Sequence, residues 1–565
     1  MNFYNDNSKN EVMFEKFLNW GIAHTNSKNY DEALKFFRKV ISLKPKSFFA
    51  LRCIGDVFKY KKDYKNALYF YHQSLRINPN YVDAINECAT ILKKSGDLKL
   101  SLKMFEKSLI LKDSISIQSY ILSLKMQMCE WDNLGNLDFL KKQLKSNDDY
   151  ISPFSTLAVE DNPKNNLKRS KIYVRNFCNK EKNNSFKSDY NNKLIKIGYF
   201  SSDFYDHATL SLMADLPQFH NKKIFSVHAY CYGKVKKGKL RDKFIKYVDT
   251  FVNIENMSDK EIKELVKYHQ IDIAIDLKGY TNGSRINIFS QRIAPIQINY
   301  LGYPSTMGAD FIDYIIADKT IIPVEQRKYY SEKIIYLPNS YQPNNLSRVY
   351  PSPTSRKSDF GIPSNSFVFA NFNNSYKITK KEFEVWIRVL KNVNNSVLWL
   401  FNSNKWMIKN LSNEAKVSGL DPNRLIFADP LPYKKHLERL RHIDLFLDTF
   451  NCNAHTTASD ALWMEVPVLT KIGKQFAARV CASLLYAVNL PELVTKNVND
   501  YTKLAIALGK NKSEILEIKR KLKFGKSKKP LFDTKRYTKN FEKGLLEAFF
   551  IFRRKEKPVD IYINE

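Results

Sequence analysis

The first hundred residues repeat with a period of 34 residues, and no other feature constrains the fold as strongly. Tyr30, Tyr64 and Leu98 are spaced by 34 positions. In each repeat a small residue stands three places after this position and an aromatic residue seven places after it, at 33 and 37, 67 and 71, and 101 and 105. A unit of this length forms a pair of helices that cannot bury its own apolar face. The pattern therefore predicts helical pairs that are stable only when stacked on one another.

This pattern resembles the tetratricopeptide repeat, whose units have the same length and the same alternation of small and large residues. We expect about three such repeats over residues 12–112, forming an α-helical solenoid with a concave groove. The functional interpretation of the groove is a binding surface for a peptide or protein. The alternative is a spacer or an oligomerisation element.

Beyond the repeats the pattern changes twice. Residues 113–192 lose the period and are interpreted as a helical connector. From 193 onward short apolar segments alternate with helical patterns, which is typical of a parallel, doubly wound sheet. The first set of expected strands lies at 194–200, 224–230, 271–277 and 311–316.

The alternation begins again after a linker at 343–365. Its expected strands lie at 367–370, 396–400, 425–427 and 445–447. We therefore expect two Rossmann-like lobes, over residues 193–345 and 360–555. Such lobes place a ligand beyond the carboxyl ends of their strands, in the cleft between them.

A short polar turn, residues 452–457, follows the last of these strands and precedes a helix. Its sequence is Cys-Asn-Ala-His-Thr-Thr. The free N–H groups and the dipole at a helix N-terminus favour an anion such as a phosphate. Asp460 lies about one turn into the helix, where a carboxylate can hold a ribose hydroxyl. The alternative is a simple N-cap in which Thr456 or Thr457 satisfies the first turn of the helix.

Two further stretches follow strands of the same lobe. Lys377 follows the strand at 367–370, where a lysine can neutralise a diphosphate; a solvated surface lysine is the alternative. His436 and Arg439 are three residues apart and share one helix face. An imidazole can stack on a base and a guanidinium can bind its carbonyl, whereas an exposed amphipathic helix is the alternative. Their shared location at one sheet edge favours a nucleotide site.

Taken together, these motifs resemble the O-linked N-acetylglucosamine transferases, which join tetratricopeptide repeats to a two-lobed GT-B glycosyltransferase. The resemblance covers the repeats and nearly all of residues 193–550. The matching segments are residues 198–204 with His207 and Thr209, 279–281, 294–297, 301–304, 371–377, His436 with Arg439, 455–457 with Asp460, and 530–534.

The resemblance implies an inverting transfer of a sugar from a UDP-sugar to a protein hydroxyl. It assigns catalytic roles to His207 and Lys377, with Lys377 neutralising the departing UDP. It assigns binding of the UDP-sugar to Leu301, Gly302, Pro304, Asn374, Lys377, His436, Arg439, His455, Thr456, Thr457 and Asp460. Of these, His455, Thr456 and Thr457 would hold the diphosphate, Asp460 the ribose, and His436 with Arg439 the uracil. Leu301, Gly302 and Pro304 would border the sugar.

The role of His207 has alternatives. As a general base it would accept the proton of the acceptor hydroxyl, a task suited to a pKa near neutrality. It can instead position the acceptor or the sugar, or it can be an N-cap or core histidine. Three residues depart from the family pattern: Asn374 replaces a glutamine, Tyr433 a ribose-contacting lysine, and Ala208 a proline.

Our first hypothesis is a UDP-sugar-dependent protein glycosyltransferase that transfers N-acetylglucosamine from UDP-GlcNAc to Ser or Thr. The alternatives are a UDP-glucose-dependent asparagine glucosyltransferase, a transferase with a non-protein acceptor, and a non-catalytic repeat scaffold with decayed transferase lobes. We expect no metal cofactor, because the sequence has no Asp-x-Asp pair of the kind that metal-dependent sugar transfer commonly uses.

Composition restricts the partners and the compartment. The net charge of +33 is spread over nearly the whole chain, so a diffuse solvated surface is preferred over a nucleic-acid site. The seven cysteines include no C-x-x-C pair, which indicates a reducing compartment without disulfides. The chain has no apolar run of 18 residues and its N-terminus does not have the pattern of a secretory signal. We therefore expect a cytoplasmic protein without a membrane span.

Overall fold

The structure is a computed structural model that describes residues 3–131, 137–146, 149–178, 192–345, 347–525 and 528–565, with side chains from residue 10 onward. The chain divides into two compact units, Met1–Met128 and Cys129–Glu565. This division falls inside the connector predicted at 113–192. The four-part division of the chain stays a prediction.

The first unit consists of seven helices arranged as antiparallel neighbours. They are α1 (Phe3–Asn26), α2 (Tyr30–Leu43), α3 (Phe48–Tyr60), α4 (Tyr64–Ile77), α5 (Val82–Ser95), α6 (Leu98–Leu111) and α7 (Ile115–Met128). Helices α2, α4 and α6 begin at the three positions that are spaced by 34 residues. Asp63 and Asp97 begin α4 and α6 because each carboxylate accepts a backbone N–H of the first turn.

In the first two helical pairs an aromatic ring lies on a glycine of the preceding helix. A Cβ added to Gly55 of α3 would lie 2.5 Å from the ring of Tyr71 in α4, and Gly21 has the same relation to Phe37. Ala33, Ala67 and Ser101 are fully buried beside these contacts. The small residues therefore allow the helices to cross closely enough for the aromatic rings to fill the interior.

The second unit begins with helices α8 (Asp138–Lys145) and α9 (Pro163–Phe177) and continues into its first lobe. The first-lobe helices are α10 (Ala208–Met213), α11 (Leu216–Phe219), α12 (Lys239–Tyr247), α13 (Asp259–Tyr268) and α14 (Asn287–Ser290). The strands are β1 (Ile195–Ser201), β2 (Phe225–Cys231), β3 (Thr250–Asn253), β4 (Ile273–Asp276), β5 (Ile296–Asn299), β6 (Tyr314–Asp318) and β7 (Lys333–Leu337).

The second lobe contains α15 (Lys380–Asn392), α16 (Lys405–Val417), α17 (Tyr433–Arg439), α18 (Thr456–Trp463), α19 (Val480–Ala487), α20 (Val498–Lys510) and α21 (Lys512–Gly525). Its strands are β8 (Phe367–Asn371), β9 (Ser396–Phe401), β10 (Leu425–Ala428), β11 (Leu445–Leu447), β12 (Val468–Lys471) and β13 (Val494–Thr495). Helix α22 (Thr534–Arg553) and strand β14 (Ile561–Tyr562) complete the chain and pack on the first lobe.

Both sheets are parallel and wound in the same order. The first is arranged β14-β7-β6-β5-β4-β1-β2-β3 and the second β10-β9-β8-β11-β12-β13. In each lobe the strand order reverses beside the first strand, between β1 and β4 and between β8 and β11. Ligands of doubly wound sheets bind at this reversal, beyond the carboxyl ends of the strands. The topology therefore places two candidate crevices, one in each lobe.

Helix α22 fastens the end of the chain to the first lobe through buried polar contacts. His220 receives or donates hydrogen bonds on both ring nitrogens, with Tyr199 at 3.0 Å and with Glu542 of α22 at 3.0 Å. Tyr537 of α22 bonds Tyr300 at 2.6 Å. Among the helices of the described residues, none is long and apolar enough to cross a membrane.

We predict that Gly55→Ala destabilises the first unit by about 1–3 kcal/mol, because the added methyl overlaps the Tyr71 ring. Hydrogen exchange measured by mass spectrometry should show faster exchange in α3 and α4. In a Tyr71→Leu background the same substitution should cost much less. An equal cost in both backgrounds would contradict the packing argument.

Candidate functional site

The second-lobe crevice is formed by the two loops that follow β8 and β11. These strands are adjacent and parallel, with Ala370 paired with Phe446. The loop after β8 carries Asn373, Asn374 and Lys377. The loop after β11, residues 448–455, leads into α18 and is called the β11 turn below.

Asp448 shapes the β11 turn from within. Its Oδ1 accepts hydrogen bonds from the backbone N–H of Thr449 at 2.8 Å and of Ala454 at 2.6 Å. Its Oδ2 accepts one from the Thr470 hydroxyl at 2.7 Å. Burial raises the pKa of Asp448 to about 6. The carboxylate thereby closes the turn and fixes where α18 begins.

The N-terminus of α18 has no side-chain cap. His455 occupies the N-cap position without a capping bond. The Thr457 hydroxyl does not cap the helix either; it donates to Asn373 Oδ1 in the neighbouring loop at 2.8 Å. The simple N-cap by a threonine is therefore not what the structure contains. An uncapped helix N-terminus presents backbone N–H donors to an anion.

Lys377 lies beside this helix end. It belongs to a 3-10 turn, Ser375–Lys377, and its Nζ donates to the Asn453 carbonyl in the β11 turn at 2.7 Å. Its side chain is half-buried, whereas Asn374 is exposed. Burial, with the Lys377 charge as a second cause, lowers the pKa of His455 to about 3. His455 is therefore neutral, and the positive charge of this crevice comes from Lys377 and the helix end.

His436 and Arg439 share a face of α17, as their spacing predicts. Arg439 is buried and bonds His436 Nδ1 through both Nε at 3.2 Å and Nη2 at 2.9 Å. Its Nη1 donates to the Asp429 carbonyl at 2.5 Å. Burial, together with the Arg439 charge, lowers the pKa of His436 to about 3. Arg439 thus orients a neutral imidazole, and the exposed amphipathic helix is not found at these two residues.

Asp460 is buried one turn into α18. Its Oδ1 accepts hydrogen bonds from the Tyr433 hydroxyl at 2.8 Å and from Arg348 Nη1 at 2.9 Å. Burial raises the pKa of Asp460, and the Arg348 charge opposes this shift. Arg348 also donates to the Ser211 carbonyl of α10 at 3.1 Å. This contact joins α10 of the first lobe to α18 of the second.

The first-lobe crevice contains His207 at the start of α10. His207 is the N-cap of this helix, and its Nδ1 accepts the Thr209 N–H at 3.3 Å. Asp203 Oδ2 lies 3.6 Å from the same nitrogen and forms a buried ion pair with Lys278 at 2.6 Å. Burial lowers the pKa of His207; Asp203 opposes this shift, and Lys278 and Lys236 add to it.

The loop after β5 carries the three residues predicted to border the sugar. Leu301 has a positive φ of 71°, which is strained for a leucine. Gly302 follows it, and a Cβ there would lie 2.0 Å from the Leu277 carbonyl. Pro304 is buried. The loop after β5 therefore lies directly against the loop after β4.

The structure brings together two groups of predicted residues. Lys377, His455, Thr456, Thr457 and Asp460 gather around the N-terminus of α18, and α10, which begins at His207, packs against α18. His436 and Arg439 lie on α17, and the hydrogen bond from Tyr433 of the same helix to Asp460 joins α17 to α18. Within the described residues, no three His, Cys, Asp or Glu side chains are grouped in the way that holds a metal ion.

Sequence reasoning missed Asp448, Lys278 and Arg348. Asp448 follows directly after β11 and Lys278 lies two residues after β4, so the position of a charged residue at a strand end is the signal that identifies them. Arg348 lies in the linker predicted at 343–365, where neither spacing nor periodicity distinguishes it.

We predict that Asp448→Ala loosens the β11 turn, because it leaves two buried N–H groups without an acceptor, at a cost of about 1–3 kcal/mol each. Hydrogen exchange at residues 449–458 should accelerate strongly. Thr470→Val, which removes only the contact to Oδ2, should cost about 1 kcal/mol. Unchanged exchange of the Ala454 amide in Asp448→Ala would show that the carboxylate does not hold the turn.

Residues 165–352 and 350–541 match Glycosyl transferase family 41, and residues 18–47 match a tetratricopeptide repeat. The probable UDP-N-acetylglucosamine–peptide N-acetylglucosaminyltransferase SEC of Arabidopsis thaliana is 32% identical over 379 residues, which are 66% of this chain and 39% of that protein. The UDP-N-acetylglucosamine–peptide N-acetylglucosaminyltransferase of Caenorhabditis elegans is 26% identical, with 66% and 42% covered. This chain thus spans about two fifths of the length of these relatives.

A solved structure, a Thermobaculum terrenum O-GlcNAc transferase mutant, matches with a TM-score of 0.71 at 20% identity, and covers 97% of this chain and 99% of that one. At this identity the match shows the fold, and it confirms the predicted solenoid followed by a GT-B pair of lobes. The predicted resemblance is also confirmed. Since the family match covers more than half of its residues, the chain belongs to glycosyl transferase family 41.

Proposed function

We propose that this chain is an inverting glycosyltransferase that transfers N-acetylglucosamine from UDP-GlcNAc to a Ser or Thr hydroxyl of a protein. The observation that carries the proposal is the meeting of Lys377 with the uncapped N-terminus of α18 at the strand reversal of the second lobe. The sugar donor and the peptide acceptor are those that the names of the Arabidopsis and Caenorhabditis relatives state for those proteins. The Ser or Thr hydroxyl follows from the predicted family resemblance.

The reaction breaks the bond between the sugar C1 and the β-phosphate oxygen, and forms a bond between C1 and the acceptor oxygen. UDP leaves with the electron pair, so negative charge develops on the diphosphate. Lys377 and the first-turn N–H groups of α18 are placed to stabilise this charge. Thr456 adds a hydroxyl donor, and Thr457 would add one by exchanging its hydrogen bond to Asn373. We propose that this set acts without a metal ion.

Neighbouring side chains are proposed to make the remaining contacts with the UDP-sugar. His436, held by Arg439, offers its Nε2–H and its ring face to the uracil. Asp460 offers Oδ2 to a ribose hydroxyl. Asn374 is exposed beside Lys377, and Leu301, Gly302 and Pro304 form the loop proposed to border the sugar.

His207 is proposed to position the acceptor or the sugar rather than to take the proton. Because Nδ1 accepts the Thr209 N–H, the neutral ring carries its proton on Nε2. The ring therefore presents a donor to any group bound at Nε2. This geometry supports the positioning alternative for His207, and the identity of the base stays open.

The solenoid is proposed to hold the acceptor protein in its groove. Nucleic acid is not expected as a partner. A cytoplasmic location is also proposed, because the cysteine pattern indicates a reducing compartment.

We predict that the purified chain releases UDP from UDP-GlcNAc in the presence of EDTA.

We also predict that Lys377→Ala reduces kcat by about 10²–10³-fold, which is the usual effect of removing one group that stabilises developing charge. Lys377→Arg should retain more activity than Lys377→Ala. Melting temperatures of both variants serve as the folding control.

A panel of UDP-sugars with cell lysate, followed by mass spectrometry, tests donor and acceptor together. HexNAc on Ser or Thr would support the proposal. Hexose on Asn would favour the glucosyltransferase alternative, and turnover lost on chelation would contradict the metal-free claim. Activity of Lys377→Ala equal to that of the wild type would remove Lys377 from catalysis.

The pH dependence should report His207. Burial favours its neutral form, so its pKa lies below the usual value of about 6.5. Protonation at Nδ1 would remove the acceptor of the Thr209 N–H that orients the ring, so kcat/KM should be constant above pH 7 and fall only below about pH 6.5. Lys236→Gln removes an exposed positive charge that lowers the pKa of His207, so the acidic limb should move to higher pH. An acidic limb that stays in place in Lys236→Gln and in His207→Gln would assign it to another group.

A further inference from the structure

Arg348 is a buried cation that joins the two lobes at the site. Its side chain is 1% exposed. It donates to Asp460 Oδ1 at 2.9 Å, to the Ser211 carbonyl of α10 at 3.1 Å and to Asn344 Oδ1 at 3.0 Å. A guanidinium is suited to this position because its planar group can bind three acceptors at fixed angles.

These contacts fix one oxygen of Asp460 and leave the other available. Oδ1 is held by Arg348 and by the Tyr433 hydroxyl. Across the described residues, no hydrogen bond engages Oδ2. Because an ionised carboxylate accepts several hydrogen bonds, Oδ2 can accept from a further hydroxyl.

Tyr433 is the residue that departs from the family pattern, where a lysine commonly contacts the ribose. Its hydroxyl is a neutral donor, since burial and the Asp460 charge raise its pKa well above the usual range. In this chain the positive charge beside Asp460 is therefore carried by Arg348. Arg348 reaches Asp460 from the segment between β7 and β8, residues 338–366, which is called the interlobe segment below, and not from α17.

Two other side chains of the same segment hold the lobes without touching Asp460. Gln342 donates to the Ser459 hydroxyl of α18 at 2.6 Å. Asn345 donates to the Leu210 carbonyl of α10 at 2.8 Å and accepts from the Asp215 N–H at 2.9 Å. Substitutions of Gln342 or Asn345 can therefore perturb the contacts between the interlobe segment and the lobes without removing a hydrogen bond to Asp460.

We propose that Arg348 is a positioning residue for nucleotide recognition: with Tyr433 it holds the Asp460 carboxylate turned so that Oδ2 binds a ribose hydroxyl. The proposal rests on the proposed UDP-sugar site. If Arg348 had a purely structural role, its loss would weaken the binding of UDP and of its deoxy analogues by the same factor. If Arg348 positions Asp460, its loss weakens only the part of the affinity that depends on the ribose hydroxyl.

The test is calorimetric binding of UDP, 2′-deoxy-UDP and 3′-deoxy-UDP to the full chain. A hydrogen bond to a charged group implies that the wild type prefers UDP over at least one deoxy analogue by about tenfold or more. Arg348→Met should reduce this preference below about threefold, because Asp460 then loses a partner that orients it and its hydrogen bond with the ribose hydroxyl becomes weaker. Tyr433→Phe should reduce it partly. The double variant Arg348→Met/Asp460→Asn should bind UDP as Asp460→Asn alone does, because both changes remove one interaction.

The matched controls are Asn345→Ala and Gln342→Leu, which perturb the same segment and should retain the wild-type preference. If Arg348→Met does not fold, Arg348→Lys and Tyr433→Phe give the same comparison. A preference unchanged in the Arg348 and Tyr433 variants, or its absence in the wild type, overturns the inference alone. A wild type that does not bind UDP overturns the proposed function and the inference with it.

Discussion

A buried carboxylate at the end of a strand fixes the geometry of each crevice. In the second lobe Asp448 follows β11 and accepts two backbone N–H groups of the turn that begins α18. In the first lobe Asp276 ends β4 and accepts the N–H groups of Lys278 and Gly279. Burial raises the pKa of both groups to about 6. β4 and β11 occupy the same place in the two sheets, next to the first strand. The two lobes therefore use the same device on the same side of the strand reversal.

These carboxylates determine where the cations lie. Asp276 orients the backbone of Lys278, whose side chain pairs with Asp203 beside His207. Asp448 orients the β11 turn, whose Asn453 carbonyl binds Lys377. Meanwhile burial lowers the pKa of His207, His436 and His455, which keeps the three imidazoles neutral at pH 7. The positive potential of the cleft at neutral pH consequently comes from lysines, arginines and a helix end rather than from histidines.

The repeats and both sheets could be predicted because they depend on local pattern. The roles of the site residues come from the family resemblance and stay predictions. A 34-residue period sets the starts of α2, α4 and α6, and Lys377 and the 452–457 turn follow apolar segments that are recognisable as strands. The contacts between site residues could not be predicted in this way. The hydrogen bonds from Thr457 to Asn373 and from Arg348 to Asp460 each depend on the packing of segments that are distant in the sequence. No period in the sequence records such packing. Short strands such as β3, β13 and β14 were also missed, because two to four residues carry little alternation.

Three side-chain hydrogen-bond donors of the candidate site already have protein partners before a nucleotide binds. Lys377 donates to the Asn453 carbonyl, Thr457 to Asn373, and Tyr433 to Asp460. Binding a diphosphate would therefore exchange or extend existing hydrogen bonds rather than order loose side chains. The conformational entropy lost on binding is correspondingly small, and the dipoles need little reorganisation when charge develops on the leaving group. The same reasoning explains why a buried arginine is suited to the interlobe segment. It holds Asp460 in place while leaving one carboxylate oxygen for the ligand, which a mobile surface lysine would not do as reliably.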